Sequence, residues 1–93
     1  MIQMNETDFG TLAICAIRYC QGRMTYMPDL VRKIVRPYLQ TMQDRDIIVM
    51  LRDCKFQEEM NLYGDEKIDK PDWLRWKADL EKEAERRQLG WNV

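Results

Sequence analysis

Residues 7–22, T7-DFGTLAICAIRYCQ-G22, form the most apolar run in the chain, and their reading decides the fold class. Thr7 or Asp8 suits the start of a helix, where a side-chain oxygen accepts a backbone N–H. Gly22 suits the end, where a left-handed residue stops the helix. Phe9, Leu12, Ala13, Ala16, Ile17 and Cys20 recur at helical spacing and form one apolar face. Ala13 and Ala16 on that face let a second helix approach closely. The spacing predicts a central helix over residues 7–21 with the rest of the chain packed on it. The fold class is all-α, a single compact domain of four to five helices spanning residues 1–93.

After Gly22 a linker at Arg23-Met24 leads into MPDLVRKIV. Pro28 fits the first turn of a second helix and Asp29 its positive end. Leu30, Val31, Ile34 and Val35 form its apolar face. Pro37 cannot continue the helix, so it ends or kinks near Val35, and Pro37-Tyr38-Leu39 opens a short turn reaching Met42. Asp44 and Asp46 are candidate caps of a third helix, with Ile47, Leu51, Cys54 and Glu58 on one line and Ile48 and Phe56 beside it. Ile47–Leu51 also reads as a short buried strand. Helix is favoured because the following RDCKFQEEMN lacks turn residues, and Gly64 is the expected stop. Asp69-Lys70-Pro71-Asp72 then starts a last helix from Pro71 to about Leu89. Trp73, Trp76, Leu80 and Ala84 supply its narrow apolar stripe. Its far end, EKEAERR, is polar all round and expected in solvent or over a partner, with Gly90 as the stop.

The 93 residues are 45% apolar and 33% charged, a globular composition with a small core to build. No run approaches the length of a membrane span, and MIQMNETD lacks the regions of a signal peptide. The expectation is a cytoplasmic protein, in a bacterial host, with no membrane partner. Cys15, Cys20 and Cys54 form no CxxC pair and are expected as free thiols, Cys20 and Cys54 in the core. Net charge is −1, unevenly divided. Residues 1–43 carry five basic and three acidic side chains, and residues 44–93 carry ten basic and thirteen acidic.

The chain has no histidine, no Ser/His/Asp or Cys/His set and no phosphate loop, so it is not expected to be an enzyme or to use a cofactor. The carboxylate pairs Glu58/Glu59 and Asp65/Glu66 sit in solvated runs. Asp65, Glu66, Asp69 and Asp72 lie within eight residues, but their spacing is not that of a calcium loop, and capping explains Asp69 and Asp72. No metal site is expected. Arg32, Lys33 and Arg36 share one helical face and are the candidate nucleic-acid surface. The acidic balance of the whole chain argues for a solvated face instead.

Protein binding is the remaining role. Seven Met, three Trp, four Tyr and two Phe are many for four helices to bury, and these residue types are enriched at interfaces. The expected patches are Tyr26–Met27 with Arg23, and the Trp73/Trp76/Trp91 end.

FGTLAICAIRYCQGRMTYMPDLV (residues 9–31) and YGDEKIDKPDWLRWKADLEKEAERR (residues 63–87) resemble small uncharacterised proteins of phages and integrated elements of Gram-positive bacteria. The shared pattern is an apolar helix closing on a GR-x-TYMP-like turn, then a D-K-P-x-W-type helix start. The resemblance covers about half the chain and transfers no functional residue. It implies a phage or mobile-element origin, where small acidic non-enzymatic proteins often inhibit host defence, as anti-CRISPR proteins do. The implied partner is a host protein, first of all an RNA-guided CRISPR nuclease with basic nucleic-acid channels. The residues expected to occlude such a surface are Glu58, Glu59, Asp65, Glu66, Asp69 and Asp72, with Trp73 and Trp76. The alternative is a small structural or regulatory helical module that forms a homodimer through Trp73 and Trp76, or binds nucleic acid through Arg32, Lys33 and Arg36.

Overall fold

A computed structural model describes residues 5–22 and 28–90, with the backbone alone at residues 6, 22 and 28–31. The elements are α1 (Glu6–Gly22), α2 (Pro28–Val35), a 3-10 helix η1 (Arg36–Thr41), α3 (Asp44–Glu59) and α4 (Asp69–Arg87). The architecture is all-α, and the described residues include no strand. Residues 47–51, open between helix and strand on sequence, lie inside α3. Pro28 heads α2, and Pro37 opens η1 instead of continuing that helix, because its ring and missing N–H break the α pattern.

Capping differs from the expectation at three ends. Asn5, not Thr7 or Asp8, caps α1: its Oδ1 accepts the Asp8 backbone N–H at 2.8 Å. α3 stops at Glu59 rather than near Gly64, because Asn61 takes the left-handed conformation (φ 54°) and the Leu62 N–H donates to the Gln57 carbonyl at 2.9 Å. Gln88 (φ 58°), not Gly90, does the same after α4, and the Leu89 N–H donates to the Ala84 carbonyl at 2.9 Å.

The core lies lower in the chain than expected. Ile47, Met50, Leu51 and Cys54 of α3 and Trp73, Trp76, Leu80 and Ala84 of α4 are among its most enclosed side chains, with Ile17 as the α1 contribution. α4 packs on α3, α2 and η1, while α1 packs on α3 and α2. α1 is therefore one wall, not the centre. Its buried face is also rotated from the sequence reading: Gly10, Ala13, Ile14, Ile17 and Gln21 face inward, whereas Leu12 is 54% exposed and Ala16 is exposed. α1 has apolar residues on several faces, so periodicity alone does not select the one that packs.

The Cα envelope measures 36 × 35 × 17 Å, about two helix layers deep. A slab this thin leaves every helix an outer face. Ile34, Tyr38, Phe56 and Met60 are exposed for that reason, correcting the expectation that Ile34 and Phe56 join the apolar faces. Conversely, Met42, Met50 and Tyr63 are buried.

Polar contacts fix the layers. Gln21 Nε2 donates to Gln57 Oε1 at 3.1 Å inside the α1–α3 contact, and Gln57 Nε2 donates to the Leu62 carbonyl at 3.0 Å. Asp46 is buried in the first turn of α3, where the helix dipole favours a carboxylate. Gly10 makes room for it, since a Cβ there would lie 2.1 Å from Asp46 Oδ2. Arg87 is the main tether. Its guanidinium donates to Glu83 Oε2 at 2.6 Å, Asp44 Oδ1 at 2.8 Å and the Leu39 carbonyl at 2.7 Å, joining α4, α3 and η1. The far end of α4, expected as solvated all round, thus buries Ala84 and most of Glu83 and Arg87.

Candidate functional surfaces

The acidic and aromatic residues singled out on sequence do not form one surface. Trp73 and Trp76 are fully enclosed in the core, which corrects their assignment to an exposed patch or a dimer contact. Their positions, four residues before Leu80 and eight before Ala84 in the case of Trp76, place them on the one face of α4 that meets α3 and α2.

Asp65 and Asp69 are occupied by the backbone. Asp65 Oδ1 accepts the N–H groups of Lys67 at 2.8 Å and Ile68 at 2.9 Å, so it caps the turn before α4. Asp69 is buried and reaches back, its Oδ2 accepting the Asp65 N–H at 3.1 Å. This is a reciprocal capping arrangement, with one carboxylate on each side of the helix start. Asp72 pairs with Arg75 one turn on. Lys77 Nζ donates to Glu58 Oε2 at 2.5 Å, and that bond and its charge hold the Glu58 carboxyl below its usual range. Glu58, Glu59, Asp65 and Glu66 are the exposed carboxylates of the original set, Glu58 held by Lys77 and Asp65 by the backbone. Arg23, Tyr26, Met27 and Trp91, the other expected contact residues, lie outside the described residues.

The exposed apolar surface lies elsewhere. Phe56 is 57% exposed and Met60 58%, four residues apart at the end of α3. Beside them a cavity of about 240 Å3 opens between α1 and α3, lined by Arg18, Gln21, Asp53, Phe56, Gln57 and Leu62. Arg18 spans the cavity wall, its Nε donating to Asp53 Oδ2 at 2.7 Å and its Nη2 to Asp53 Oδ1 at 3.2 Å. This two-point pair lies at an exposed site, where it orients the guanidinium more than it stabilises the fold. The sequence reading missed this surface because it placed Phe56 beside the buried line of α3. A turn count would have found it: Phe56 is five residues from Leu51 and two from Cys54, off the packed face.

The basic residues are also rearranged. Arg32, expected on a solvated face, donates from Nε to Asp79 Oδ2 of α4 at 2.9 Å. Arg36 Nε lies 3.7 Å from Asp79 Oδ1. Lys33 is exposed. A groove of about 590 Å3 runs between η1 and α4 past Arg36, Lys82 and Arg86. Glu83 at its edge accepts from Arg86 Nε at 3.2 Å and Nη2 at 2.5 Å, and also from Arg87. Those bonds, Arg86 first, lower the Glu83 carboxyl against the opposing effect of burial.

Cys15, Cys20 and Cys54 form no disulfide among the described residues, and burial pushes the Cys54 thiol up to about 12, far from the thiolate that reacts. Among the described residues no group of three His, Cys, Asp or Glu side chains is arranged to hold a metal ion, and no helix is long and apolar enough to cross a membrane. The chain matches no family model, and comparison with curated proteins and with solved structures returns no significant match.

Proposed function

We propose that this chain is a non-enzymatic phage or mobile-element protein that binds and inhibits a host defence protein, first of all an RNA-guided CRISPR nuclease, by covering a nucleic-acid-binding surface. The observation that carries the binding part is the exposed Phe56/Met60 pair beside the α1–α3 cavity. Two large apolar side chains one helical turn apart, next to a cavity with an oriented Arg18, are the residue types of an interface centre. Glu59 adds a carboxylate to that end of α3, of the kind that meets a basic channel. The host-defence part rests on the resemblance of residues 9–31 and 63–87 to mobile-element proteins. Relative to the sequence reading, the contact surface moves from Trp73, Trp76, Asp65 and Asp69 to Phe56, Met60 and Glu59.

The test is a pull-down from bacterial lysate with tagged protein, paired with target cleavage by a purified CRISPR nuclease. A stoichiometric nuclease complex with lost cleavage is expected, and Phe56→Asp with Glu59→Lys should release it while leaving the thermal transition within about 3 °C. Unimpaired cleavage with no nuclease retained would sink the nuclease assignment.

A further inference from the structure

We infer that the groove between η1 and α4 is a phosphate-backbone site for single-stranded nucleic acid. It is built from other residues than the Phe56/Met60 surface and stands independently of the reading above. Arg36, Lys82 and Arg86 line the groove, and a smaller cavity of about 280 Å3 continues from it past Arg32 and Lys33, with Arg36 and Pro37 shared by both. Among the described residues, five cations line the two cavities together with two carboxylates, Asp79 and Glu83. The chain as a whole carries a net charge of −1, so the surplus is local.

The two carboxylates organise the cations instead of cancelling them. Asp79 is mostly enclosed and holds Arg32 while lying 3.7 Å from Arg36. Glu83 is mostly enclosed and shared by Arg86 and Arg87. Four guanidinium groups thus rest on two carboxylates. The side chains of Arg36 and Arg86 remain 61% exposed at the groove. Guanidinium forks match phosphate oxygens two at a time. Lys82 and Arg86 are four apart on α4, and Arg32 and Arg36 are four apart across α2 and η1, each about 5–6 Å between Cβ atoms. Two such rows on opposite walls give a track for successive phosphates. Pro37 and Leu39 give the η1 wall an apolar, low-dielectric edge that focuses the field. An acidic polypeptide would match the charge, but the two rows of cations and the open track favour phosphates.

The experiment is fluorescence anisotropy with a labelled 20-nucleotide single strand of mixed sequence and the full chain, titrated across a series of salt concentrations. The groove variant is Lys33→Ala, Arg36→Ala and Lys82→Ala together. The control variant removes the same charge elsewhere, through Arg52→Ala, Lys55→Ala and Lys67→Ala, all at exposed positions. Far-ultraviolet circular dichroism verifies that both fold. Salt-sensitive binding by the native chain is expected, with at least about a tenfold loss in the groove variant and a salt slope shallower by about 2. The control variant should stay within about twofold of native. The inference is overturned by absence of binding at low salt, by equal losses in both variants, or by polyglutamate competing as well as unlabelled oligonucleotide.

Discussion

The segment 65–72 and the groove between η1 and α4 make an instructive pair. Both are charge clusters, and each holds a sequence-adjacent set of one sign. In the first, backbone N–H groups and neighbouring cations take up the charge: Asp65 and Asp69 cap the turn that leads into α4, and Asp72 pairs with Arg75. In the second, folding adds charge. Lys82 and Arg86 arrive from α4 to join Arg36, and among the described residues that line the groove Asp79 and Glu83 oppose them. A helix start presents unpaired N–H donors that draw carboxylates inward. A groove between two helix flanks offers few such partners to ammonium or guanidinium groups. Clusters that look alike in sequence therefore diverge according to which backbone dipoles they meet.

The comparison can be broken in three ways. The largest effect belongs to Trp76, which is fully enclosed in the core. Trp76→Ala is expected to cost about 3–5 kcal/mol, enough to unfold most of a domain this small at 37 °C in a thermal melt. A melt resembling native would place Trp76 on the surface and revive the aromatic patch.

Next come the caps. Asp65→Ala with Asp69→Ala should cost about 2 kcal/mol and lower Tm by about 8–16 °C. The groove variant Lys33→Ala, Arg36→Ala, Lys82→Ala should move Tm by under about 4 °C, since exposed charges contribute little to stability. Equal shifts in the two variants would erase the distinction between a capping cluster and a surface cluster.

The smallest effect is in pH. Glu83 lies below its ordinary value of 4.5 in the folded chain, through Arg86 and then Arg87 against burial. Its unfolded form therefore binds a proton more readily than its folded form. The stabilisation is fully present above 4.5 and is lost as pH falls through the lower folded value. Glu83→Gln should flatten the decline of Tm between about pH 5 and pH 3, measured against native chain. An unchanged slope would mean the Arg86–Glu83–Arg87 cluster does not order the groove wall.

Local signals carried much of the fold. The proline at 28, the break at Pro37 and the acidic start of α4 are readable because each acts within one turn of the backbone. The all-α class and the burial of Leu51, Cys54, Leu80 and Ala84 follow from period alone. The candidate surfaces were less legible. Phe56 appeared to belong to the core, and Trp73 and Trp76 to an interface, because composition predicts that some aromatics must be exposed without saying which.

Sequence by itself determined where helices start to within about two residues, that the chain is all-α, and that acids would gather at the head of α4. Those properties depend on groups separated by four residues or fewer, whose geometry the helix supplies. Tertiary structure alone decided that α3 and α4 hold the centre, that α1 turns Gly10 to Asp46 and Leu12 to solvent, and that Arg87 ties three elements together. It also decided that cations from α2 and α4 share one groove. These depend on which faces meet across more than thirty residues, and a two-layer slab leaves several pairings compatible with the same pattern.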